Sequence, residues 1–364
     1  MPIVTTVTDT ATFESLAGEW RALHADSTAD PLFLSWEWLF TWWCCLGGRR
    51  PLRVLTIRDG ARLIGIAPLV VRAAALRRLQ PFEVVEFLGT GAAGSDYLDI
   101  IAARGREADV LDALVAHFAG SRTTLEFSHA APGSLVALLA AALGNRGWAA
   151  VAQSVEVCPY VPLAGHDWDS YLGTLGSAHR YNVRRRFRNL AKAFEVRFER
   201  ARDATERRPF LLDLVRLHRL RRETLGGSDG LGDDRMVAFH DAFTVRAQRA
   251  GWLRLYRLVL DGVVVAAVYG CAVGGKFYFY QSGFDPGFSR HSVGLLILAH
   301  SIREALEEDL TEYDLLHGNE AYKYQWAAHE RPLVRHHLYP PRLHGAVAHR
   351  LFGLKQQLKT CRVA

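Results

Sequence analysis

The sequence predicts an α/β chain built from two tandem domains, each a mixed, mostly antiparallel sheet with flanking helices. Three observations carry this. LRVLTIRDGARLIGIAPL from Leu52 and RLYRLVLDGVVVAAVYG from Arg254 both read as strand, turn, strand, about 200 residues apart. Their turns fall at Asp59-Gly60 and Asp261-Gly262, and Asp-Gly between β-rich runs marks a hairpin because both central positions favour φ > 0. LEFSH at 125–129 and YDLLH at 313–317 each follow an apolar helical run and read as a strand ending in histidine. The order hairpin, strand, helix, strand is therefore kept in both halves, as duplication of one domain would leave it.

Taken in order, residues 11–27 place Phe13, Leu16, Trp20 and Leu23 at helical spacing. A second helix starts near Ser35 and stops at Gly47-Gly48; its Trp36, Trp38, Trp42 and Trp43 either wall a pocket or pack on the sheet. The first hairpin is followed by strands at 83–88 and 97–101, a helix at 106–119, the strand at 124–129, a helix at 133–145 and a strand from Trp148 that closes this half. The domain organisation expected is 1–164 for the first domain, 165–250 for a helical insertion, 251–340 for the second core and 341–364 for a basic amphipathic tail. Within the insertion, helices are expected at 177–194, 204–225 and 233–250, with the loop GGSDG between the last two. The second sheet takes 252–260, 263–273 and 276–282, before a helix with Ser292 as N-cap and Leu295, Leu296, Ala299 and Ile302 as its buried stripe. In the tail Val347, Leu351, Leu354 and Leu358 share one face, with Arg350, Lys355 and Lys359 around it.

The chain has 364 residues, enough for two cores, and 49% apolar with 23% charged residues is ordinary globular composition. A net charge of +6, mostly from Arg, suits an anionic ligand or an anionic membrane surface. No helix-turn-helix, zinc-finger or RNA-recognition signature is legible, so no DNA partner is expected. Five scattered cysteines without a CxxC pair indicate reduced thiols and no metal. MPIVTTVTDT lacks the pattern of a signal peptide, and no uncharged apolar run reaches membrane-span length. The expected location is the cytoplasm, or at most the inner face of the cytoplasmic membrane as a peripheral protein. The tail helix either packs on the second domain or rests on that surface. GTGAAGSDYLDI is glycine-rich but does not open a helix after a strand, so it is no dinucleotide fingerprint.

A strand feeding a helix whose first turn carries Ser and Gly is an anion site, through open N–H groups and the helix dipole. SRHSVG offers this with Arg290, Ser292, Val293 and Gly294. The order hairpin, strand, Ser-x-Gly helix, strand resembles the GNAT superfamily of N-acetyltransferases, in which that junction holds the pyrophosphate of coenzyme A. The family's usual pattern there is Arg/Gln-x-x-Gly-x-Gly/Ala, and this chain lacks the first glycine. HGNEAYKYQW at 317–326 resembles the Gly-x-Glu-x-Tyr-Lys-x-x-Trp signature of CelD-type acetyltransferases, which resemble the duplicated Fem peptidyltransferases. LHRLRR at 217–222, Phe239-His240, SGFDPGFSRHSVGLLIL, SAHRYNVRRRFRNL and FLSWEWLFTWW add matches, so the resemblance spans roughly residues 30 to 335. It implies an acyltransferase with acyl-CoA as co-substrate, acting in exopolysaccharide, envelope or lipid biosynthesis. Its acceptor would be a small-molecule amine or a lipid amine, a sphingoid amine included.

Acyl transfer to an amine needs a base for the attacking nitrogen, donors for the developing oxyanion and an acid for the leaving thiolate. His317 and His218 are the candidate bases, Glu320 a partner for a histidine or the amine, and Tyr322 the acid. Lys323 is expected on a phosphate or a substrate oxygen. Arg180 and Arg184, in a run that also holds Arg185, Arg186, Arg188 and Lys192, read either as a phosphate clamp or as a solvated face. Arg221 and Trp36 are further substrate-site candidates. Asp96, Tyr97 and Asp99 are expected near a cleft, with turn and strand-end chemistry as the alternative. Two rival functions remain open: a Fem-like transferase using aminoacyl-tRNA on a cell-wall precursor, and a non-catalytic binding subunit.

Overall fold

The structure, a computed structural model, describes residues 2–72, 83–225, 230–342, 345–350 and 353. The chain divides into two compact units, Met1–Glu156 with Pro332–Ala364, and Val157–Arg331.

The first unit opens with strand β1 (Ile3–Val7) and helices α1 (Thr10–Ser15), α2 (Ala17–Ala25) and α3 (Trp36–Leu46). The antiparallel run β2 (Leu52–Asp59), β3 (Arg62–Val71) and β4 (Val84–Phe87) follows, with β1 on the outer edge of β2 and the short β5 (Ile101–Ala102) on β3. Helix α4 (Glu107–Ala119) returns the chain to β6 (Thr124–Ala130), parallel to β4, and α5 (Leu135–Gly144) comes next. Beside β6 lies not the next strand but one from far along the chain, with Val334 opposite Ala130 and Leu338 opposite Leu125.

The second unit repeats this plan. Strand β7 (Ala149–Pro162) leads to helices α6 (Trp168–Thr174) and α7 (Ser177–Ala193), and then to edge strand β8 (Val196–Arg200). Helices α8 (Ala204–Leu225) and α9 (Asp234–Arg249) precede the antiparallel run β9 (Leu253–Leu260), β10 (Val263–Val273) and β11 (Lys276–Phe284). Helix α10 (Val293–Glu307) then crosses to β12 (Glu312–Asp314), parallel to β11; the last strand of the chain, β13 (His329–Tyr339), belongs to the first unit from Pro332 onward. Residues 160–162 of β7 take the place beside β12 that β13 takes beside β6. The strand from Trp148 runs on beyond the first unit, with residues 149–156 in the first unit and 157–162 in the second.

Further differences from the sequence reading have local causes. The expected helix at 11–27 breaks at Leu16, so Phe13 and Trp20 reach the core from two short helices. Ser35 does cap its helix, accepting the Trp38 N–H at 3.2 Å. Trp36, Trp38 and Trp42 are buried packing residues; Trp36 stacks on Phe40 with ring centroids 4.4 Å apart. Residues 97–101 form no full strand because Tyr97 has φ 55° and Asp99 instead caps α5 through the Leu135 and Val136 N–H groups. Strand β2 runs through Asp59, so the first hairpin turns at Gly60-Ala61; the second turns at Asp261 and Gly262, both with positive φ, as expected. Ser292 lies at φ 57° and makes no side-chain cap, a correction to its expected role. In the tail, Leu351, Leu354, Lys355, Leu358 and Lys359 lie outside the described residues.

Candidate active site

In the second unit, β11 and β12 pair only over three residues, Lys276 opposite Glu312 to Tyr278 opposite Asp314. Beyond Tyr278, β11 continues to Phe284 while the other chain turns away at Leu316, whose φ is 56° and whose N–H is taken by Asp314 Oδ1 at 2.8 Å. Two parallel strands that part company leave a gap, and here it is a chamber of about 220 Å³. Phe279, Ser282 and Phe284 of β11 form one wall, and Ser292 to Leu295 with Leu298 of α10 form another. Tyr322, Gln325 and Trp326 come from the loop after β12, and Arg221 from α8. No Asp or Glu is among the described residues that line it.

Helix α10 begins abruptly. Its ladder starts with the Leu296 N–H on the Ser292 carbonyl at 3.1 Å, and no side chain caps the N–H groups before it. Those groups and the positive end of the helix dipole are therefore available to an anion. Gly294 packs on Phe284; a Cβ there would sit 2.9 Å from the ring.

The HGNEAYKYQW segment is held together by Lys323. Its side chain is 5% exposed, and its ammonium donates to the carbonyls of Leu316 at 3.1 Å and His317 at 2.6 Å. Glu320 Oε2 completes the set at 3.0 Å. Gly318 has φ 122°, a backbone conformation that residues with a side chain rarely adopt, and a Cβ on it would crowd the Glu320 carboxylate and the Lys323 ammonium. The Lys323 carbonyl then accepts the N–H groups of Trp326 and Ala327, which sets Trp326 into the chamber wall. The signature is thus a folded clamp that presents Tyr322 and Trp326. Burial pushes the Tyr322 phenol well above its ordinary range, so it stays protonated.

Helix α8 approaches β11 closely at Gly283, where a Cβ would meet the His218 backbone N at 2.5 Å. His218 is 2% exposed and its Nδ1 has no hydrogen-bond partner. Burial, helped by Arg221, Arg222 and Arg219, lowers its pKa to about 4, so it is neutral near pH 7. One turn on, Arg221 places its guanidinium over the Phe284 ring, 5.5 Å from the centroid. His179, on the first turn of α7, is a residue that sequence reasoning misses. It packs edge-on to Trp326 at 4.7 Å with its Nε2 buried and unpartnered, and burial lowers its pKa. Its place in SAHRYNVRRRFRNL is the one signal for it, overshadowed there by the arginines.

The other candidates fall elsewhere. His317 is half-buried at the bend after β12 and does not line the chamber, although its carbonyl belongs to the clamp. Arg290 is exposed, with Nε on His291 Nε2 at 2.9 Å. Arg180 donates to the Gly173 carbonyl at 3.1 Å, and Arg184 pairs with Asp169 at 2.8 Å in a different cavity of about 640 Å³. Trp36, Asp96 and Tyr97 belong to the first unit. The structure brings together Ser292, Val293, Gly294, Arg221 and Tyr322.

Residues 177–324 match the family model described as Acetyltransferase (GNAT) domain. No curated protein matches the sequence. Among solved structures, the crystal structure of FemX superposes with a TM-score of 0.64 at 12% identity, over 92% of this chain and 96% of that one. A conserved protein of unknown function from Bacteroides thetaiotaomicron VPI-5482 gives 0.56 at 12% identity, over 93% and 99%. The C-terminal domain (DUF2156) of a protein assigned as a lysylphosphatidylglycerol synthetase, from Agrobacterium fabrum, gives 0.52 at 12% identity, over 94% and 95%. At such identities the likeness is one of fold. The chain shares the fold of FemX over most of its length, and its second unit carries the match to a GNAT acetyltransferase domain.

Proposed function

We propose that this acyltransferase moves an acyl group from a coenzyme A thioester to an amine of a sugar or lipid precursor in envelope or sphingolipid-type biosynthesis. The observation that carries the donor assignment is one chamber joining apolar walls to the open N–H groups of α10. Ser292, Val293 and Gly294 would hold the donor's phosphate oxygens, and Phe279, Leu298 and Trp326 its apolar part.

The acceptor nitrogen forms a C–N bond to the thioester carbon as the C–S bond breaks. His218, neutral, with its buried Nδ1 unpartnered and one helical turn before the lining residue Arg221, is the base that takes the amine proton. Tyr322, held protonated by burial, gives its proton to the departing thiolate. Glu320 is half-exposed on Lys323 and has a positioning role, and Lys323 holds the loop rather than a phosphate. The test is release of free coenzyme A from an acyl-CoA series with a panel of sugar and lipid amines. Release that requires both partners supports the reading; none with any pair removes it.

The basic face of α7 favours a second reading, a Fem-like transfer from aminoacyl-tRNA. Arg184, Arg185, Arg188 and Lys192 are exposed there, and the helix has no acidic residue in its first turn. It predicts tRNA binding that falls steeply with salt, and no coenzyme A release.

A further inference from the structure

Arg221 differs from its neighbours on α8. Arg207 pairs with Asp241 at 2.6 Å, Arg216 with Asp213 at 3.6 Å and Arg219 with Asp234 at 3.2 Å. Arg221 instead lines the chamber, its Nε is buried without a hydrogen-bond acceptor, and no described lining residue is acidic. The Phe284 ring beneath it gives a cation–π attraction, which does not replace a hydrogen-bonded anion. A guanidinium cannot shed its charge, and holding it partly dehydrated is costly unless a ligand completes it.

We propose that Arg221 reads an acidic group, a carboxylate or phosphate, on the acceptor amine. This rests on the acyl-transfer reading above. The acceptor is favoured over the donor by position. His218, the base in that reading, lies three residues before Arg221 on the same helix, so the two share a face. A base must stand beside the amine whose proton it takes, and its helical neighbour then addresses the rest of the same molecule. The open end of α10 already offers the donor its own anion site. The planar fork of Arg suits a carboxylate or phosphate better than a lysine would. The substrate class is therefore an amine that also carries an acidic group, with a neutral amine a poor acceptor.

The test is calorimetric binding to the full-length wild type, Arg221→Gln and Arg221→Lys, with and without coenzyme A. The probes are matched pairs: phosphoethanolamine against ethanolamine, and β-alanine against its amide. Circular dichroism checks that the variants fold. Wild type should prefer the acidic member by about tenfold or more, the worth of one charge-assisted hydrogen bond. Arg221→Gln should erase that preference while coenzyme A still binds, and Arg221→Lys should keep part of it. No preference in the wild type, a preference that survives Arg221→Gln, or loss of coenzyme A binding in its place overturns the assignment. Acidic amines bound through Arg221 by a protein that takes no acyl-CoA would keep this inference and remove the donor assignment instead.

Discussion

The ammonium of Lys323 lies 2.6 Å from the carbonyl oxygen of His317 and donates to it, so the conspicuous lysine of this sequence supports the loop beside the chamber. Its other acceptors, the Leu316 carbonyl and Glu320, leave it no open bond direction toward a ligand. Lys323→Met should lower unfolding stability by about 2–4 kcal/mol, since buried carbonyls lose a charged donor. Activity should fall with it, because Tyr322 and Trp326 lose their support. Denaturant melts beside steady-state kinetics check this; a variant of native stability would show that the clamp is ornamental.

Glu320 is the contrasting case. Its side chain is 52% exposed, so its pair with Lys323 is worth only about 1 kcal/mol or less. Glu320→Gln should keep kcat within a few-fold of wild type. A loss of a hundredfold or more would place its carboxylate in the chemistry and contradict a positioning role.

His218→Gln should reduce kcat by about 10²–10⁴ with donor binding unchanged, the range of a general base. Neither ring is part of the chamber wall, but His218 lies one helical turn before the lining residue Arg221, so His317→Gln should cost far less. With the His218 pKa held near 4, kcat/KM should show no break near 6.5, and its rise toward higher pH should follow the acceptor amine. The reverse ranking of the two histidines would transfer the base to His317.

Buried neutral histidines also set the acid limb of stability. Burial lowers His218 and His300 to about 4 and His240 to about 3, each below its unfolded value. Between pH 6.5 and those values the unfolded chain binds more protons than the native one, so stability should drop as pH falls through that window. Asp99 works the other way: burial raises it to about 6, so its contribution weakens as pH rises from 4 to 6. Denaturant midpoints at pH 4.5, 5.5 and 7 should fall toward acid, less so in His218→Gln. A flat profile would contradict the burial of these rings.

Hairpins, crossing helices and parallel strands were legible because apolar period and Asp-Gly turns are local signals. The signature from His317 to Trp326 and the junction at Ser292 were legible through resemblance to a family. Edge strands β1 and β8 escaped because their alternation is half-solvated, with Phe198 flanked by Arg197 and Glu199. Which strand fills the place beside β6 is a long-range choice that no window of sequence records. Roles within the site were less legible still. Whether Lys323 faces a ligand or a carbonyl depends on the fold of Leu316 to Glu320, and His179 gains interest only beside Trp326.

The central claim is that the chamber between β11 and α10 takes the donor, and thermal stabilisation by an acyl-CoA series tests it most directly. Acetyl- to palmitoyl-CoA and free coenzyme A are compared on the wild type and on Gly294→Val, whose side chain would crowd Phe284. The predicted result is a wild-type shift that depends on chain length and is lost in Gly294→Val, because ligands that bind only the native state raise its stability. No wild-type shift, or one that Gly294→Val leaves intact, would contradict it.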